Sequence, residues 1–183
     1  FGTYDNIVPP EQYEDEARVI LCLNHFSRGA FYNNQMSLES LFTSLNINVK
    51  KTYAGEKLNL DGCNLLVIPY SFVITMKKDE IEQVAKFVDN GGCLITDRKN
   101  ALAERMGLKF LKSAIKMYQV TDRFHPNERI FWKFSQLAHK FEVESTDKIF
   151  CEDTITGFPA VIGREYGEGK ILYFNTPFDP DSE

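Results

Sequence analysis

The sequence predicts an α/β domain: a three-layer α/β/α sandwich with a mainly parallel sheet and a C-terminal β-hairpin. Three observations predict it. Residues 64–97 (NLLVIPYSFVITMKKDEIEQVAKFVDNGGCLITD) read as strand, loop, amphipathic helix, Gly-Gly stop and strand. That is a βαβ unit, which implies parallel strands covered by helices. An apolar run at 17–23 (ARVILCL) supplies a further buried strand upstream. Near the end, β-rich runs at 160–166 and 170–174 are joined by Gly167-Glu168-Gly169, a hairpin signal.

Each element has its own warrant. Residues 1–16 are acidic, contain Pro9-Pro10 and begin at Phe1, so they read as a linker or N-terminal extension of a piece of a longer protein. The strand at 17–23 is followed by a polar, aromatic loop over 24–35. A helix is predicted over 36–46, with Ser37 as its cap and Leu38, Leu41, Phe42 and Leu45 as its apolar face. Residues 47–53 (INVKKTY) alternate and read as a strand nearer the sheet edge. Leu65, Leu66, Val67 and Ile68 form a continuous apolar run, as in a strand buried on both faces. Pro69 ends it. Thr75 is the expected N-cap of the next helix, with Asp79 and Glu80 in the first turn, where the helix dipole favours negative charge. Ile81, Val84, Ala85 and Val88 keep the spacing of one buried helix face. Gly91 suits a left-handed stop and Gly92 leads into the next strand. A short helix over 100–106 is closed by Gly107. This order suggests a flavodoxin-like sheet.

Residues 109–158 are less regular and read as a candidate insertion. Within them, 116–120 and 141–145 alternate like strands, and 127–140 reads as a helix through Ile130, Phe131, Phe134, Leu137 and Ala138. With Trp132 added, that helix is apolar on several faces. It must be buried, either in its own domain or against a partner. The domain is expected to span 17–176, leaving 177–183 as a tail.

Composition bounds the function. The 183 residues fit one domain, or one with a small appendage. A net charge of −5 argues against a nucleic-acid surface. The densest basic stretch, 109–116 (KFLKSAIK), reads as a solvated helix face or loop. No apolar stretch approaches the roughly 20 residues of a membrane span, so no membrane insertion is expected. The four cysteines form no CxxC pair, which argues against a zinc or redox motif and for buried free thiols. His125 and His139 lack metal-binding spacing. No cofactor and no metal is expected.

In open parallel sheets, ligands bind beyond the carboxyl ends of the strands. That edge should collect Asn24, His25, Ser27, Arg28, Tyr70, Ser71, Asp97, Arg98 and Asn175. Phe26, Phe31 and Tyr32 would wall a pocket suited to a sugar or peptide. The same polar residues could instead cap helices and satisfy loop backbones. A His25–Asp97 pair could act as a general base, with Ser27 or Ser71 as nucleophile, but neither serine lies in a Gly-x-Ser-x-Gly elbow.

Residues 17–23, 64–97 and 158–176 (FPAVIGREYGEGKILYFNT) resemble, in order and spacing, the class I glutamine amidotransferase-like superfamily. The likeness is closer to its non-catalytic branch, typified by the trimerisation domain of family 42 β-galactosidases. Catalytic members carry a cysteine on a sharp strand-to-helix turn and a histidine after a late strand. Here the corresponding stretches read Thr96-Asp97-Arg98-Lys99-Asn100 and Asn175-Thr176-Pro177-Phe178, with neither residue, so no catalytic residue is assigned. The resemblance implies a non-catalytic structural, oligomerisation or ligand-binding module from a larger carbohydrate-related protein. It implies self-association or contact with other domains of that protein and a sugar as candidate ligand. The compartment stays open, a soluble protein of either the bacterial cytoplasm or the cell envelope being expected. The alternative is a stand-alone hydrolase or amidotransferase-like enzyme using the strand-edge residues.

Overall fold

The computed structural model describes residues 18–178; the expected linker and residues 179–183 of the tail lie outside them. The first strand, β1 (Val19–Leu23), is buried at every position. Its side chains alternate between the two sheet faces, as the two-residue strand period requires. Val19, Leu21 and Leu23 meet Leu38 and Phe42 of helix α1 (Ala30–Ser44) on one face. Ile20 and Cys22 belong to the larger core on the other face, with Val84, Ala85 and Val88 of α3 (Lys78–Asp89) and Leu102 and Ala103 of α4 (Ala101–Arg105). Fully burying an aliphatic side chain contributes about 1.5–3 kcal/mol, so these two clusters anchor the helices.

The βαβ unit forms as read. Strand β3 (Leu65–Ile68) leads through Pro69 and the single-turn helix α2 (Tyr70–Val73) to α3, then to β4 (Cys93–Asp97). The cap differs. Lys77, not Thr75, precedes α3, and Glu80 accepts the Lys77 N–H at 2.7 Å. The Thr75 hydroxyl instead donates to the Phe72 carbonyl at 2.7 Å, closing α2. Helix α1 likewise starts earlier than the Ser37 cap suggests, immediately after Gly29, whose φ of 57° suits glycine. Asn100 caps α4 by accepting the Ala103 N–H at 2.7 Å.

Among the described residues one nine-stranded sheet forms, in the order β2-β1-β3-β4-β9-β8-β7-β5-β6. Its remaining strands are β2 (Val49–Tyr53), β5 (Phe110–Asp122), β6 (Arg129–Phe141), β7 (Lys148–Asp153), β8 (Pro159–Tyr166) and β9 (Gly169–Phe174). The pairings from β2 to β9 are parallel. Those from β9 to β6 are antiparallel and include the two longest strands. The protein is therefore mixed α/β, and the expected mainly parallel, flavodoxin-like sheet is corrected: more residues pair antiparallel than parallel. The predicted hairpin is β8–β9, and it is β9 that joins the two halves.

The correction arises in residues 109–158. The predicted helix over 127–140 is strand β6, and the basic stretch 109–116 lies largely on β5 rather than on a helix face or loop. Ile130, Phe131, Trp132 and Phe134 are β-branched or aromatic, the types that favour a pleated surface. Pairing with β5 satisfies the backbone along the strand, Met117 opposing Gln136 and Ile115 opposing Ala138. Gln136 and Ala138 point inward, and Ala138 joins a small core with Met117, Val120 and Ala160. The strand expected at 141–145 is instead the end of β6 and a turn, where Glu144 N–H donates to Asp147 at 2.8 Å before β7 begins. All four cysteines are free; Cys22 is buried and the others are half-buried. Burial pushes the Cys22 thiol far above its ordinary value and raises Cys63 and Cys151.

Candidate functional site

The chain runs from β1 outward to β2 and then returns to β3 on the other side of β1. Sheets of this kind bind ligands at such a reversal, here between the carboxyl ends of β1 and β3. The predicted residues lie along this edge, because β1, β3, β4 and β9 all end there.

At the end of β1, Asn24 is buried and works as a loop brace. Its Oδ1 accepts the Phe26 N–H at 3.0 Å, and its Nδ2 donates to the Ser71 carbonyl at 2.8 Å. The Asn24 N–H donates to Gln35 Oε1, and Gln35 Nε2 returns a bond to the Asn24 carbonyl at 3.2 Å. Ser27 is buried and Arg28 donates to its carbonyl at 3.2 Å. His25 is exposed, its ring 4.1 Å from Phe26 and 5.8 Å from Tyr53. Tyr32 is exposed on α1; the side chain of Phe31 lies outside the described set.

At the end of β4, Asp97 is only 1% exposed. Its Oδ1 accepts the Tyr70 N–H at 2.6 Å and its Oδ2 the Phe178 N–H at 3.3 Å. Burial pushes its carboxyl up to about 6, against the opposing pull of those N–H groups and of Arg98. Arg98 takes a φ of 58°, unusual for a non-glycine residue. Its N–H donates to the Phe174 carbonyl at 2.7 Å and its guanidinium lies 5.6 Å from the Tyr70 ring centre. Ser71 is buried, and among the described residues its hydroxyl has no hydrogen-bond partner. Beyond β9, Asn175 ties three strands together. Its Oδ1 accepts from His139 N–H at 3.1 Å and from the Tyr173 hydroxyl at 3.3 Å. Its Nδ2 donates to the His139 and Pro159 carbonyls at 3.0 and 3.4 Å.

The edge is thus assembled, but not as a catalytic triad. Among the described residues no hydrogen bond joins His25 to Asp97 or to a serine hydroxyl. Both Asp97 oxygens bind backbone N–H groups, which is how a loop brace behaves. No group of three His, Cys, Asp or Glu side chains among the described residues could hold a metal. His125 meets Asp122 at 3.2 Å on an exposed turn, and His139 is held below its ordinary value by burial and by Lys99. An open depression lined by Lys78, Asp79, Glu82, Gln83 and Lys86 lies on the solvated face of α3, away from the strand ends. Sequence reasoning missed Gln35 and Phe178 as parts of the edge. Neither carries a local signal, since each acts through a contact distant in sequence.

Asp97 makes stability depend on pH. Its folded value, about 6, lies above its ordinary 3.8, so folding takes up a proton between the two. Its contribution is therefore fully present below about pH 4, is lost as pH rises through about 6, and stays absent above. Two pH units correspond to about 3 kcal/mol. Urea midpoints of wild type should thus fall, relative to those of Asp97→Asn, between pH 4 and pH 7. Parallel profiles for the two proteins would remove this assignment.

No known family's sequence pattern matches the chain. No curated protein matches it either. Solved structures do share its fold. A β-galactosidase from Bacillus circulans sp. alkalophilus superposes over 90% of this chain with a TM-score of 0.65 at 17% identity. This chain covers 29% of that enzyme, so it spans under a third of its length. A cytoplasmic protein from Salmonella typhimurium LT2 matches over 88% of this chain and 89% of its own, with a TM-score of 0.63 at 15% identity. A ThuA-like protein from Bacteroides uniformis covers 97% of this chain and 86% of its own, with a TM-score of 0.60 at 10% identity. No described helix is long and apolar enough to cross a membrane. The chain has the fold of a domain carried by β-galactosidases and of small proteins that consist of little else.

Proposed function

We propose that the chain is a non-catalytic module of the amidotransferase-like superfamily, one that self-associates or docks on other domains of a larger carbohydrate-related protein. The observation that carries this reading is the outer strand of the sheet. Strand β6 lies at the sheet edge and exposes Ile130, Phe131, Phe134 and Leu137. Exposed, long, apolar edge strands are normally paired or covered. The opposite edge, β2, is blunted by exposed Lys50 and Lys51, which is how a free edge is protected. The internally tied strand ends and the partial coverage of β-galactosidase chains support the same reading. The exposed His25 and Phe26, beside the half-buried Tyr53, leave a sugar as candidate ligand of this edge.

Sedimentation of the isolated chain tests it. The chain should associate at micromolar concentrations, and Phe131→Glu with Leu137→Glu should return it to the monomer with unchanged circular dichroism. A wild-type chain that stays monomeric at about 100 μM, well above the range of stable interfaces, would leave self-association without support.

A further inference from the structure

We infer that residues 175–178 form a strap across the carboxyl end of the sheet, and that Asp97 is the catch that holds it at Phe178. This goes beyond the module reading and does not depend on it. Among the described residues the strap is fixed at its root, Asn175, by several hydrogen bonds and at its tip, Phe178, by one, together with the packing of the Phe178 ring. At the root, Asn175 is 1% exposed and bonds to β6 and β8 through its side chain, while its own N–H donates to the Ala160 carbonyl at 2.8 Å. At the tip, Phe178 rests its ring 5.1 Å from that of Phe174 and gives its N–H to Asp97. Between them Thr176 is buried.

The catch is unequal. The same carboxylate takes the Tyr70 N–H at 2.6 Å and the Phe178 N–H at 3.3 Å. A neutral acid turns one of its oxygens into a donor, so it serves one N–H well rather than two. The longer bond, to the strap, is the one it gives up. Opening uncovers the Phe174 ring and the apolar cluster that Phe178 packs against, which includes Leu38, Phe42 and Val67. Among the described residues, the charged and titratable groups around Asp97 are few. Arg98 follows it on the turn, Tyr173 faces it from β9, and Tyr70 stands on α2. The strap brings a backbone N–H, and α4 brings the uncharged Asn100, bonded to the Asp97 carbonyl at 2.8 Å. The Tyr173 phenol is raised well above its ordinary value, by burial first and then by Asp97, so it stays neutral as Asp97 titrates. Asp97 is therefore the group of this set that changes charge near pH 6. Release of the strap is compatible with greater global stability in acid, because losing a buried charge outweighs losing one long hydrogen bond.

Amide hydrogen exchange on the whole chain, expressed as protection factors from pH 5 to pH 8, tests the strap. The Phe178 amide should lose about tenfold or more in protection as pH falls through about 6, the size expected for one hydrogen bond to a charged group. The Tyr70 amide should keep its protection. In Asp97→Asn the pH step should vanish. Phe178→Ala, which removes the ring anchor and leaves the carboxylate, should lower protection of the residue-178 amide at pH 8 while leaving Tyr70 unchanged. The proposal is overturned if Phe178 protection is flat through pH 6 in wild type, or if Phe178 and Tyr70 are lost together. A step that persists in Asp97→Asn overturns it equally. Should Asp97→Asn not fold, the wild-type and Phe178→Ala profiles decide alone.

Discussion

Arg164→Ala should lower stability by about 3–5 kcal/mol, the cost of removing one partner of a buried ion pair. The Arg164 side chain is 4% exposed and that of its partner Asp147 is not exposed at all. The guanidinium binds Asp147 through Nε and Nη2, both at 2.7 Å. It also donates to the Gly107 carbonyl at 2.8 Å and the Glu142 carbonyl at 3.1 Å, and meets Glu144 at 3.2 Å. One side chain on β8 thus holds the stop after α4 and the turn between β6 and β7. Truncation leaves a buried carboxylate and two carbonyls without their donor. Arg164→Lys should recover only part of the loss, because an ammonium cannot reproduce the planar fork. Chemical denaturation measures both. A loss below about 1 kcal/mol for Arg164→Ala would show that water replaces the guanidinium and that the cluster is not dry.

Gly169→Ala should cost about 3 kcal/mol, at or above the upper end of ordinary overpacking. A Cβ on Gly169 would stand 2.1 Å from the Val88 carbonyl oxygen and 2.2 Å from that of Gly92. Both are backbone atoms, so no rotamer change relieves the clash. The reason is local. The β8–β9 turn lies directly on the end of α3, where Glu168 N–H donates to the Asp89 carbonyl at 2.9 Å and Lys170 N–H to the Gly92 carbonyl at 3.2 Å. The turn thereby satisfies a carbonyl that the helix end leaves without a partner. Glu168→Ala, an exposed neighbour, is the control and should change stability by less than about 0.5 kcal/mol. Thermal melts of the two variants decide it; equal midpoints would mean that the turn can lift off the helix at little cost.

The parts legible in the sequence are those whose pattern is local. Leu65–Ile68, the Ile81–Val88 helix face and the Gly91-Gly92 stop each carry their own period or punctuation, and each forms. Residues 127–140 failed because Ile130, Phe131, Phe134, Leu137 and Ala138 fit a helical spacing as well as a strand. Pairing with β5, together with the inward seats of Gln136 and Ala138, decides between them. The mainly parallel sheet failed for the same reason, since the direction of β5 to β8 is set by partners and not by composition. The strand-edge residues were legible as a group because strand ends are predictable from strands. Their bonding was not. That Asp97 would receive Tyr70 and Phe178 depends on a segment 81 residues away in sequence.

The place of β9 has a consequence for how the chain comes to be folded. It is the last of the described strands in sequence yet lies between β4 and β8, at the middle of the sheet. On a ribosome, β1 to β4 emerge as a parallel set with one open flank, and β5 to β8 as an antiparallel set with another. Neither flank closes until Gly169–Phe174 has been synthesised, and pairing β4 with β9 closes a loop of more than 70 residues. Non-local closures of this kind slow folding and leave unpaired strand edges exposed in the meantime. The nascent chain should thus be most vulnerable to aggregation just before β9 arrives, and interruption upstream of Gly169 should yield two half-sheets rather than a smaller version of the whole.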